Sequence, residues 1–279
     1  MAQNYAAKDL ATIDERFYTE SVTQPIINNG INLTFEGVNS VTIYNVDVVA
    51  EVDYVRSGHN RFGPLVELGT GVQTFVLSQD KAFTFSVDRG NLEDSMHVQE
   101  ADRAVKRQVR EVSIPTTDIY RLSILAAYAV ANSQGVVSGT APTNQTAYQL
   151  VLAQQAALDD AEVPAEGRYM YVTSTFYNLL KRDPEFVKDC DTSAKDLKRG
   201  ILGEVDGLTI IKAPASYYVS KFAFMIVHKK VLVAPTKFNM IRILDEVQGI
   251  DGKVAEGRRY YDAFIPTNKG VAIRIYTTS

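Results

Sequence analysis

Residues 163–186 read VPAEGRYMYVTSTFYNLLKRDPEF, the densest local grammar in the chain. Pro164 and Gly167 bracket a turn, since proline presets its own φ and glycine accepts conformations that other residues avoid. Tyr169 to Val172 is a short apolar run suited to a buried strand. Ser174 or Thr175 stands where a helix cap is needed, apolar residues then recur at helical spacing, and Pro184 is a stop. The stretch holds several titratable side chains and no recognisable catalytic set. It is either an active-site loop or a building unit of something larger.

The flanking sequence supplies further strands and helices and leaves both readings open. Downstream, GEVDGLTIIKAP (203–214) predicts a turn at Asp206–Gly207 and then a strand. FAFMIVHKKVLVAP (222–235) predicts one or two buried strands, and residues 236–276 alternate apolar and polar positions between glycine turns, predicting a meander. Upstream, QTAYQLVLAQQAALDDA (145–161) predicts a helix, preceded by the linker candidate VVSGTAPTN (136–144).

Residues 96–115 place Val98, Ala101, Val105, Val109 and Val112 at steps of three and four. That is one apolar stripe on a long surface helix, supported by the i,i+4 pairs Asp102–Lys106 and Arg107–Glu111. Pro115 is expected to end it, with Thr116, Thr117 and Asp118 capping a second, more apolar helix over 116–132. Before these helices, VTIYNVDVVAEVDYV (41–55) and VQTFVLSQDKAFTFSV (72–87) are rich in β-branched and aromatic residues. They predict two long strands around the polar tip RSGHNRFGPLVELGTG, a hairpin with too little apolar surface to fold alone. Residues 1–37 read as an extended arm with one short helix near Leu10–Tyr18.

Composition bounds the function. The 279 residues are 46% hydrophobic and 22% charged, ordinary for a folded chain. A net charge of −4 argues against an electrostatic nucleic-acid binder. The single cysteine, Cys190, excludes an internal disulfide and suits a reducing compartment. Runs such as Ile124–Ala131 and Phe222–Val227 are core-sized, well short of a membrane span.

Catalytic signals are weak. There is no phosphate-binding GxxxxGK[ST] and no GxGxxG after a strand. His59, His97 and His228 are singletons without metal-ligand spacing. The acids flanking Cys190 raise rather than lower a thiol pKa. The carboxylate runs LEDSM, LDD and LDE suit caps and turns better than an acid–base pair. No catalytic residue, cofactor or metal is expected.

The order of parts carries a resemblance. FTFSVDRGNLEDSM followed by ADRAVKRQVREVSIPTTDIYRLSILA is similar to the strand, spine helix and Ile-Pro-x-x-Asp-x-Tyr segment of tailed-phage major capsid proteins of the Hong Kong-phage type. VPAEGRYMYVTSTFYNLLKRD resembles that family's VP-x-x-x-R turn, strand and helix. GILGEVDGLTIIKAP with FAFMIVHKKVLVAP resembles its hairpin and core strands.

The resemblance spans about residues 38–279 and implies an α+β fold in five parts. These are an N-terminal arm (1–37), an extended β-hairpin loop (38–82), a peripheral domain with the spine helix (83–135), an axial α/β domain (136–235), and C-terminal strands returning to the peripheral domain (236–279). It implies a structural, non-enzymatic subunit that assembles into hexamers and pentamers of an icosahedral shell around double-stranded DNA. It also implies assembly in a bacterial host's cytoplasm, a scaffolding region either removed earlier or supplied by a separate protein, and portal and decoration proteins. Subunit contacts are expected from Arg56, His59 and Arg61 at the hairpin tip, Lys106 and Arg110 on the helix, and Arg258 and Arg259 near the C-terminus. Lys188–Gly200 is expected to be a loop near the ring centre. An encapsulin-type compartment shell and a soluble α/β enzyme are the alternatives.

Overall fold

The computed structural model describes residues 21–28, 30–31, 33–36, 39–46, 48–90, 101–183, 204–245 and 247–279. The expected helix near Leu10–Tyr18, the start of the long helix with His97, the Pro184 stop, and the Lys188–Gly200 loop with Cys190 lie outside the described residues. The chain divides into two compact units, 1–29 with 79–279, and 30–78.

The larger unit is organised around a six-stranded sheet in the order β5-β12-β9-β6-β8-β7. Its strands are β5 (Gly135–Gly139), β6 (Arg168–Val172), β7 (Glu204–Val205), β8 (Leu208–Lys212), β9 (Phe222–His228) and β12 (Ile273–Thr278). All seven residues of β9 are buried, which requires cover on both faces and explains its unbroken apolar run. Helices α2 (Ile114–Ala131), α3 (Ala147–Asp159) and α4 (Ser174–Lys181) contribute Leu122, Leu125, Val151, Leu158, Phe176 and Leu180 to the same core. A second sheet, in the order β10-β11-β4, joins β10 (Thr236–Leu244), β11 (Gly252–Tyr261) and β4 (Gln79–Asp88).

The opening stretch folds nearly as read. The cap is Thr173, one residue earlier than expected: its backbone is extended and its Oγ1 accepts the Phe176 N–H at 3.2 Å. Gly167 has φ +84, and a Cβ there would meet the Lys229 side chain at 2.5 Å. Asp206 and Gly207 both have positive φ, the two-residue turn whose twist matches a hairpin.

Three expectations are corrected. Pro115 does not end the helix. α1 (Ala101–Gln108) runs through a π turn (Val109–Ser113) directly into α2, with Pro115 in the first turn of that segment. The extra residue in the π turn accommodates the ring, and the hydroxyls of Thr116 and Thr117 donate to the carbonyls of Val112 and Ser113 at 2.7 and 2.9 Å. The residues that looked like a cap are therefore interior. Second, the linker candidate begins as strand β5, paired in parallel with β12. Third, the closing strands do not form one meander: β10 and β11 join β4, whereas β12 inserts between β5 and β9.

The smaller unit is the sheet β1 (Thr34–Glu36), β2 (Ser40–Val46) and β3 (Thr70–Val76). The two long expected strands are shorter. β2 stops at Val46, and the second run is cut after Val76 because β4 starts at Gln79 and pairs with β11 along its whole length.

Candidate assembly surfaces

Between β2 and β3 the chain runs out as a long loop closed by few internal contacts. The Val55 N–H donates to the Arg61 carbonyl at 3.0 Å, Tyr54 and Phe62 meet edge to face at 4.9 Å, and Arg61 Nε donates to the Gly58 carbonyl at 3.2 Å. Arg56, His59 and Arg61 are all exposed around this turn. So are large apolar side chains: Leu65 is 99% exposed, Val48 94% and Phe62 84%. Surfaces of this kind mark contact with another molecule.

On the long helix, Lys106 and Arg110 face solvent, while Arg107 pairs with Glu111 at 2.7 Å as its spacing predicts. The two C-terminal arginines point to different fates. Arg258 is exposed and forks onto Asp80 across the strand pair, at 2.9 and 2.5 Å, which lowers the pKa of Asp80. Arg259 is half-buried and donates to Thr117 Oγ1 at 3.1 Å and the Ser113 carbonyl at 3.2 Å, tying β11 to the turn of helix beside Pro115. Burial pulls its pKa down. Arg259 is thus engaged within its own subunit.

Two buried charged residues not singled out as contacts prove central. Asp118, 1% exposed, gathers the root of the N-terminal arm: its carboxylate accepts from Ser21 Oγ at 2.9 Å, the Val22 N–H at 2.9 Å and Thr23 Oγ1 at 2.5 Å. Tyr171 OH donates to the Val22 carbonyl at 2.8 Å, and burial raises that phenol's pKa well above normal. Val22 and Ile26 enter the core, and Asn28 bonds the Leu232 carbonyl at 2.7 Å. Residues 21–28 of the arm are therefore docked within the larger unit. Arg168, also 1% exposed, ties the turn before β6 by donating to Asp159 at 2.6 Å, to the Pro164 carbonyl at 3.0 Å and to the Val163 carbonyl. It is the arginine of the VP-x-x-x-R pattern.

The buried His228 is held by backbone groups. Its Nδ1 accepts the Lys230 N–H at 3.2 Å, so Nε2 carries the proton toward the Glu166 carbonyl at 3.1 Å, and burial lowers its pKa. Among the described residues no three His, Cys, Asp or Glu side chains are placed to hold a metal, and no helix is long and apolar enough to cross a membrane.

Comparison with known proteins turns on shape. No protein-family model matches the sequence, and no curated protein matches it. Solved structures do. The capsid structure of cyanophage P-SCSP1u aligns at TM-score 0.70 and 11% identity, covering 99% of this chain and 93% of that one. A structure from Mycobacterium phage Che8 aligns at 0.65 and 14%, covering 99% and 98%. The fold is that of a tailed-phage major capsid protein. A virus-like particle from Pyrococcus furiosus shares the capsid fold more distantly, at TM-score 0.52 and 11% identity over 92% of this chain and 91% of that one.

Proposed function

We propose that this chain is the major capsid subunit of a tailed bacteriophage, a structural protein without catalysis. Many copies close, as hexamers and pentamers, into an icosahedral head around double-stranded DNA. The observation that carries this reading is the end-to-end match to phage capsid structures. The exposed apolar loop supports it physically, because burying Phe62 or Leu65 on a neighbour gains about 25 cal/mol per Å² of apolar area removed from water. Such head-to-tail contacts close into rings and shells when the rotation permits.

Within this reading the arm is residues 1–37, the extended loop 38–82, the peripheral domain 83–135 with strands from 236–279, and the axial domain 136–235. Arg56, His59 and Arg61 reach a neighbour at the loop tip, Lys106 and Arg110 meet one along the helix, and Arg258 serves contacts between rings, with Arg259 holding its strand in place. Assembly takes place in the bacterial cytoplasm, with a separate scaffolding protein, a portal and decoration proteins as further partners.

Size-exclusion chromatography and negative-stain microscopy of the purified protein, alone and with phage lysate, test the reading. Closed particles are expected; a monodisperse monomer at high concentration in both settings overturns it. The likeness to the Pyrococcus furiosus particle supports a second reading, a cargo-holding compartment shell. Mass spectrometry separates them, since a co-purifying cargo protein favours the compartment and packaged DNA the phage head.

A further inference from the structure

A cleft of about 330 Å³ opens on the larger unit where the turn after α3, the end of β9 and the turn before β12 come together. Part of its wall is apolar, from Pro164 and from Val271, the latter 44% exposed, over the buried Val163 and Val231; His228 and Asn268 also line it. Lys230 and Lys269 line it, and among the described residues neither has a carboxylate within 4.0 Å. Glu162 also lines the cleft, and Lys229 beside it is taken by Glu166 at 3.0 Å. Burial, and then the charge of Lys230, lowers the pKa of Lys269, so the two ammonium groups feel one another. A partly desolvated pair of like charges is unfavourable until something acidic arrives.

The same chain carries the complementary surface. Residues 48–55 read VVAEVDYV and are exposed throughout. When such a ribbon is extended, Glu51 and Asp53 fall on one side and Val52 and Tyr54 on the other. Neither acid has an ion pair among the described residues, and Val52 and Tyr54 are 57% and 51% exposed. We infer that the cleft between Lys230 and Lys269 receives residues 48–55 of a second copy, Glu51 and Asp53 meeting the lysines while Val52 and Tyr54 cover the apolar wall. The inference rests on the self-assembly reading and names one contact within it. A nucleic-acid backbone fits less well, because it brings no apolar side chain to cover the wall beside the lysines.

Charge exchange tests it. Two double variants, Lys230→Glu with Lys269→Glu and Glu51→Lys with Asp53→Lys, are compared with the chain carrying all four changes. Particle yield is followed against protein concentration, and circular dichroism checks that each monomer folds. Each double variant is expected to raise the concentration for half-assembly about tenfold or more, as juxtaposed like charges do. The fourfold variant is expected to return to within about threefold of wild type, since coupled sites compensate. Double variants that assemble normally, or a fourfold variant no better than the doubles, overturn the inference; normal particles with less DNA in the lysine variant overturn it in favour of nucleic acid. If wild type forms no particle, the assembly reading itself fails; wild-type particles indifferent to these changes sink this contact alone.

Discussion

The six-stranded sheet and the loop of residues 48–68 use similar side chains to opposite ends. In β9, Phe224, Met225, Ile226 and Val227 are 0% exposed. In the loop, valines, two leucines and a phenylalanine of similar hydrophobicity stand more than half in solvent. The first region is stabilised by what its own chain folds over it. The second leaves its apolar area in solvent, so what holds the fold together and what stays open to contact lie in different parts of one sequence.

Four experiments break or sharpen that contrast. Phe224→Ala, inside the sheet against Phe176 and Tyr276, is expected to cost about 3–5 kcal/mol in denaturant unfolding. A loss below about 1 kcal/mol would mean that the sheet is not the core. Asp118→Asn keeps the shape but turns an acceptor into a donor facing the Ser21–Thr23 donors. It is expected to cost about 1–2 kcal/mol and to speed amide exchange at Val22 and Ile26, while exchange in β9 changes only with global stability.

His228 supplies a smaller, pH-dependent effect. Its folded pKa is depressed by burial, so the stability from keeping it neutral is whole above the unfolded value of about 6.5 and is lost as pH falls below that toward the folded pKa. Melting temperature should therefore drop more between about pH 7 and pH 5 in wild type than in His228→Gln; equal drops would exclude the histidine as a cause. Least of all, Phe62→Ser with Leu65→Ser is expected to leave monomer stability within about 0.5 kcal/mol, while particle yield falls. A destabilised monomer would show that the loop serves its own subunit after all.

Much of the architecture was legible locally. The buried run 222–228, the Asp206–Gly207 turn and the turn–strand–helix unit at 163–183 each carry their instruction within a few residues. The Pro115 error has a physical source. Proline is forbidden in a helix interior but welcome in a first turn, and the π turn of 109–113 makes the residues around it both at once. Asp118 was invisible for a related reason: Thr-Thr-Asp before an apolar run is how a cap is written, and only its distance of about a hundred residues from Ser21 marks it as an anchor. Arg56, His59 and Arg61 were found as exposed loop residues, as their glycine-rich setting dictates. Arg259 was indistinguishable from Arg258, because alternate residues on a strand face opposite ways and the sequence does not say which face the helix covers.

By itself the sequence determined most of the strands and helices and the turns at Gly167 and Asp206–Gly207, because periodicity, φ preference and hydrophobicity act between near neighbours. Tertiary structure alone decided that β12 crosses to lie between β5 and β9, that the arm root is pinned by Asp118, and that Lys230 and Lys269 share a cleft. Those pairings join residues far apart in the chain. Their free energy comes from burial and charge realised only when the whole fold brings them together, so no local pattern encodes them.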